Sequence, residues 1–246
     1  MSNTISKFLL LRFDAPLISF GAPAVDEIRD TMMLFPATSM LAGLLANALG
    51  YCHEEVEKIH ALQERIRFAV KCERCGEILE DYQTVDLEAE YMAEGLAWTT
   101  WGKIVPRKGG EEKKTVVRHR RYVADSVYLV AITLEPSEEK PTIEEIAERI
   151  QKPMRPLFIG RKSCLPAAPM FVSLVEAPGF EEALRSAKPI DERRRRELAL
   201  CWRLAMTPDG EIPELIRPVC DRRDFENQVH VGQRFMVGFY LREKKP

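Results

Sequence analysis

Residues 156–169 read Pro-Leu-Phe-Ile-Gly-Arg-Lys-Ser-Cys-Leu-Pro-Ala-Ala-Pro. The apolar run Leu157-Phe158-Ile159 ends on Gly160, and Arg161, Lys162 and Ser163 follow at once. A strand end that opens into Gly-Arg-Lys-Ser gathers backbone N–H groups, a hydroxyl and two cations, which suits a phosphodiester oxygen. The same residues also make an ordinary tight turn with solvated charges. Nucleotide hydrolysis is excluded here, because the upstream glycine of a Gly-x-x-x-x-Gly-Lys-Ser/Thr loop is missing. No Gly-x-Ser-x-Gly nucleophile elbow occurs either.

A second basic stretch spans residues 87–121. It holds Trp98 and Trp101, a Gly109-Gly110 tip, Lys113 and Lys114, and then Arg118, His119, Arg120 and Arg121. Cations interleaved with aromatics on a protruding hairpin can reach a nucleic-acid backbone and stack bases. His119 with Tyr122 or Lys114 would form the acid–base pair of a metal-free ribonuclease, provided the fold positions them together. A lone histidine in a basic arm more commonly makes a contact. The Cys72-Glu73-Arg74-Cys75-Gly76 run has the spacing of half a zinc site. A structural zinc takes four ligands, and only Cys52, His53 and His60 lie nearby in sequence, so a turn with two thiols is the competing reading. No other cofactor motif is evident.

The chain that must position these residues has 246 of them, enough for one large domain or two small ones. Hydrophobic residues make up 46% and charged residues 30%, the balance of a soluble globular protein. No apolar run approaches the ~18 residues of a membrane span. The first residues lack a signal-peptide pattern, so the expected location is cytoplasmic. The net charge of −2 conceals clustering, with acidic runs at 54–64, 77–94 and 135–148 and basic runs at 103–121, 161–162, 193–196 and 217–223. An anionic polymer responds to such patches rather than to the sum.

The patterns predict a strand at 7–13, stopped by Asp14-Ala15-Pro16, and then a long loop carrying Arg29 and Thr31. A core helix at 40–49 is capped by Thr38 or Ser39 and ends at Gly50, and its N-terminus is a second possible phosphate site. A charged helix follows at 54–65. Residues 66–72 and 78–85 form a hairpin turning at the Cys-x-x-Cys. Residues 127–134 are the clearest strand. A helix at 137–151 is capped by Thr142, and strands follow at 157–159 and 170–175. The order is βαββαβ with a basic insertion, an α+β ferredoxin-like or RRM-like sheet. Domain limits are expected at 1–176, with the insertion at about 87–121, and 177–246 as an extension packed on the same domain. That extension has a helix near 180–187 and strands at 197–206 and 235–241.

Several stretches together resemble one family. They are residues 9–21 (with Leu-Arg-Phe-Asp-Ala-Pro at 11–16), Arg29-Asp30-Thr31, 36–45, 66–70 with 81–85, 120–126, and 156–169. The family is CasD, the RAMP-superfamily subunit of type I-E CRISPR Cascade. The resemblance implies a non-catalytic subunit that binds the 5′ handle of the CRISPR RNA and caps the backbone filament. It also implies a thumb hairpin beside the backbone subunit CasC, contact with the large subunit CasA, and target DNA reached through the assembled complex. Precursor cutting falls to CasE; the alternative is that this chain is itself a metal-independent endoribonuclease, as in a related subtype. By the same resemblance the RNA-binding residues are Arg29, Thr31 and Ser39, then Arg118, His119 and Arg120, then Gly160, Arg161, Lys162 and Ser163. Thr38-Ser39-Met40 stands where the family commonly has Lys-Ser-Gly, so a cation and a permissive glycine are missing. The Cys72–Cys75 feature is not one associated with the family, which leaves a zinc open.

Overall fold

Leu9, Leu10 and Leu11 are all fully buried, so their strand is covered on both faces. It is the second strand of a large sheet seen in a computed structural model, which describes residues 5–21, 33–86, 96–98, 104–106, 115–188, 198–204 and 215–242. In chain order the elements are β1 (Ser6–Ile18), α1 (Thr38–Leu49), α2 (Val56–Arg65), β2 (Ile66–Arg74) and β3 (Glu77–Asp86). Next come β4 (Leu96–Trp98), β5 (Ile104–Pro106), β6 (Thr115–Leu134), α3 (Ile143–Gln151), β7 (Phe171–Ala177) and α4 (Phe180–Ser186). The chain closes with β8 (Leu198–Leu204), β9 (Leu215–Val219), β10 (Arg222–Asp224), β11 (Val229–Val231) and β12 (Arg234–Arg242).

The sheet order is β7-β1-β6-β2-β8-β12-β9, with β3 paired to β6. Every neighbouring pair is antiparallel. Hence β1 and β2 are parallel to each other with α1 and α2 between them in sequence. The strands β6 and β7 are parallel likewise, with α3 between them. Leu41 and Leu45 of α1, Leu62 of α2 and Ile146 of α3 join Leu9, Phe68, Val130 and Ile132 in one core. Ala183 and Leu184 of α4 cover Phe8, Leu10 and Leu129 in a second. Among the described residues no helix is long and apolar enough to cross a membrane.

Local signals read well where the contacts are local. In α3, Thr142 accepts from the Glu145 N–H and Glu145 Oε2 accepts from the Thr142 N–H, while Ile143, Ile146, Ala147 and Ile150 are buried. Thr142→Ala should therefore lower stability by about 1 kcal/mol in a denaturant titration. An unchanged midpoint would show that the cap is not contributing. Gly50 ends α1 at φ +87°, the left-handed conformation a glycine stop requires.

Four expectations need correction. Pro16 does not stop β1, because it sits exposed between Ala15↔Ser126 and Leu17↔Ala124 and the ladder resumes past it. Residues 157–159 form no strand, since the Ile159 N–H turns back to the Cys164 carbonyl at 2.8 Å. The Gly160 loop therefore leads into the last core strand, β7, rather than ending it. The N-cap of α1 is Ala37, not Thr38 or Ser39, and no side chain of the helix's own segment caps it. Lastly, β2 and β3 do not pair with each other, for a reason that shapes the candidate site.

Candidate nucleic-acid interface

The strand β6 is 20 residues long and serves two partners in succession. From Leu134 to Val127 it pairs with β2, and from Ala124 to Thr115 it pairs with β3. The chain thus passes from β2 to β3 in the same direction, through a kink instead of a turn. The ladder slips by one residue between Cys72 and Arg74. Gly76 has φ +64°, and a Cβ there would lie 2.1 Å from the Ala124 carbonyl oxygen. Opposite it, Asp125 adopts φ +50° and is held by Arg74, whose Nε donates to its carbonyl and whose Nη2 meets its carboxylate, both at 2.8 Å. Beyond this kink, β3 and the outer half of β6 form a two-stranded arm. The paired arm starts at Glu77.

Alternation along the arm sorts its side chains into two faces. One face carries the pairs Leu79↔Tyr122, Asp81↔Arg120 and Gln83↔Arg118. Gln83 donates to Asp81 at 2.6 Å, and Arg120 stands opposite Asp81 in the register. The other face carries Glu80↔Arg121 and Tyr82↔His119. His119 Nδ1 lies 2.8 Å from one Glu80 oxygen, and Arg121 Nε donates to the other at 3.0 Å. The His119 ring and then the Arg121 guanidinium hold Glu80 below the usual carboxylate range. Tyr82 is 61% exposed and meets the His119 ring edge-on at 5.1 Å.

The Gly160 loop reaches this arm at its root. Ser19, just past β1, donates its N–H to the Ile159 carbonyl. Gly160 has φ +91°, and a Cβ there would fall 1.8 Å from the Ser19 carbonyl oxygen. Cys164 closes the loop by donating to the Arg161 carbonyl at 2.9 Å. Arg161 then crosses to β6, donating to the Arg121 carbonyl at 3.3 Å with its guanidinium 5.1 Å above the Tyr122 ring. Lys162 and Ser163 stand exposed at the loop tip.

The start of α1 is occupied from within the chain. The Asp221 carboxylate accepts from the Thr38 N–H at 3.1 Å and from the Thr38 hydroxyl, while the Asp221 carbonyl accepts from the Ser39 N–H at 2.8 Å. Arg234 clamps the same carboxylate through Nε and Nη2 at 2.9–3.0 Å and also donates to the Thr38 hydroxyl. Asp221 and Ser39 are both buried. The helix dipole is thus met by an internal anion, and Ser39 does not face an open phosphate site.

The structure sets Arg118 and Arg120 on the same face of the arm as Tyr122 and lays Arg161 over the Tyr122 ring at the root. It separates His119 from Tyr122, because residues three apart on a strand point to opposite faces. That pair does not converge on one scissile phosphate. Arg29, Thr31 and Lys114 lie outside the described residues. Cys72 and Cys75 belong to the β2–β3 kink, and among the described residues no group of three metal-binding side chains gathers there or elsewhere. His60 accepts the Phe225 N–H at 2.8 Å on the far side of α2. Sequence reasoning missed Tyr122 as a platform for Arg161, and Ser19 and Asp221 altogether. Gly160 was the one local signal pointing to the Ser19 contact, since its left-handed backbone rests against the Ser19 carbonyl.

The family model described as CRISPR-associated protein (Cas_Cas5) matches residues 8–237. The chain belongs to this Cas5 family. It is 29% identical over 185 residues to the CRISPR system Cascade subunit CasD of Escherichia coli (strain K12), which covers 74% of this chain and 78% of that one. A solved structure described as a CRISPR RNA-guided surveillance complex contains a chain with the same fold, at TM-score 0.67 and 20% identity, covering 96% of this chain and 90% of that chain. A crystal structure of a Cas protein superimposes with TM-score 0.60 at 25% identity, covering 96% and 95%.

Proposed function

We propose that this chain is a non-catalytic subunit of a type I-E CRISPR Cascade that holds the 5′ handle of the CRISPR RNA and caps one end of the backbone filament. Membership of the Cas5 family and likeness to the Cascade subunit CasD support the assignment to the complex. The observation that carries the RNA reading is the pair Arg118 and Arg120 on one face of the arm, with Lys162 and Ser163 exposed on the loop that meets the arm at Tyr122. Among the described residues of β3 and β6, Asp81 and, at the first position of the arm, Glu77 are the carboxylates on that face. Guanidinium groups grouped in this way favour phosphate oxygens. Arg29 and Thr31 complete the proposed handle surface. Ser39 is left out of it, being buried against Asp221.

The β7-β1-β6-β2 order with helices joining the parallel strands supports reading residues 1–176 as a ferredoxin-like RAMP domain. Residues 177–246 extend its sheet through the pairing of β8 with β2. The arm is the thumb, placed beside the backbone subunit CasC, with the large subunit CasA and the target DNA met in the assembled cytoplasmic complex. The function asks for no metal or other cofactor.

The test is binding of a labelled 5′-handle RNA to the purified full chain at fixed salt, by fluorescence anisotropy. Each charge-assisted contact is worth about 1.5–3 kcal/mol. The double variant Arg118→Ala/Arg120→Ala should thus lose affinity by roughly 100-fold or more. Its salt dependence should also flatten. Wild-type affinity in that variant would sink the site, and specific cleavage of repeat RNA in EDTA would overturn the non-catalytic reading.

A further inference from the structure

We infer that Arg161 is a positioning residue that braces the root of the arm, rather than chiefly an RNA contact. The consequence for RNA rests on the function proposed above; the brace itself rests on geometry alone. The strand β1 last pairs with β6 at Ile18↔Val123. Outward of that point, β3 is the one strand that flanks β6 among the described residues. Two-stranded ribbons are marginal by themselves and twist strongly. The angle of such an arm is therefore set by whatever holds its first outward residues.

Arg161 holds them. Its Nη1 donates to the carbonyl of Arg121, two residues beyond the last β1 pairing, and its guanidinium lies over the ring of Tyr122. The loop carrying it is fixed in the core. Ile159 and Cys164 are buried, Ser19 donates to the Ile159 carbonyl, and Gly160 rests against the Ser19 backbone. The side chain thus takes over at β6 where β1 leaves off. A planar guanidinium suits this place, because it stacks on a ring and directs an N–H at a carbonyl together, whereas an ammonium is a point charge.

Substitutions separate the brace from a phosphate contact. Arg161→Lys keeps the charge and loses the planar fork. Tyr122→Leu removes the ring from a side chain that is 5% exposed, too buried to offer RNA much surface. Hydrogen exchange of the amides of β3 and of residues 115–122 is measured in the free full-length protein, without RNA. Arg161→Lys and Tyr122→Leu should each speed arm exchange about tenfold and leave β1 unchanged. Tyr122→Phe should retain wild-type protection. Arm exchange in Arg161→Lys equal to wild type, with RNA affinity falling only in Arg161→Ala, would overturn the brace and return Arg161 to a contact role. A wild-type chain that binds no handle RNA would refute the proposed function while leaving the exchange result standing.

Discussion

Asp221→Ala is expected to lower stability by about 3 kcal/mol, read as a fall in melting temperature of about 6–12 °C. The carboxylate is 2% exposed and meets the Arg234 guanidinium, the Thr38 hydroxyl and the Thr38 N–H. Its removal strands a partly buried cation and the first donors of α1 together. The figure sits at the lower end of the range for a broken buried pair because Arg234 keeps 22% of its side-chain surface in water. Removing the cation as well, in Asp221→Ala/Arg234→Leu, should recover part of the loss, since no unpaired charge then remains. A single variant that melts with wild type would show that α1 does not depend on this tertiary cap.

Gly160→Ala is the second large effect. An L-residue held at φ +91° costs about 1–2 kcal/mol by itself. The added Cβ would also lie 1.8 Å from the Ser19 carbonyl oxygen, a backbone atom that cannot swing aside. The loop must move, and Arg161, Lys162 and Ser163 move with it. We expect at least about 2 kcal/mol of destabilisation and a larger loss of handle affinity than Arg161→Ala alone produces. Gly43→Ala supplies the contrast. That glycine lies inside α1 with nothing within 4 Å of its would-be Cβ, so alanine there should stabilise by about 0.5–1 kcal/mol. Equal stability of the two variants would refute the clash at Ser19.

The candidate site was legible in part. Arg118, Arg120 and Arg161 stand out as cations beside glycine and aromatic residues; the structure sets the first two on one face of the arm with Tyr122 and lays Arg161 over that ring. His119 looked equivalent to its neighbours in sequence, yet strand alternation turns it to the other face, toward Glu80. Ser39 looked like a helix start open to phosphate, and Asp221, 183 positions on from Thr38, fills that place. The Cys-x-x-Cys-Gly run read as a hairpin because a left-handed glycine normally marks one. Here Gly76 only kinks a path that β6 is long enough to follow on both sides.

What the sequence by itself determined are features whose cause lies within a few residues. These include the β-branched run that makes residues 127–134 a central strand, the Thr142–Glu145 capping box, the glycine stop at Gly50, and the positions of the cations. The tertiary structure alone decided which strand β3 pairs with, what occupies the start of α1, and what Arg161 touches. Thr38 and Asp221 are 183 positions apart, and Arg161 and Arg121 are 40 apart. Periodicity and capping patterns carry information over one turn or one strand. Partners at such separations are chosen by how the sheet closes and where its twist brings the loops, which no local pattern encodes.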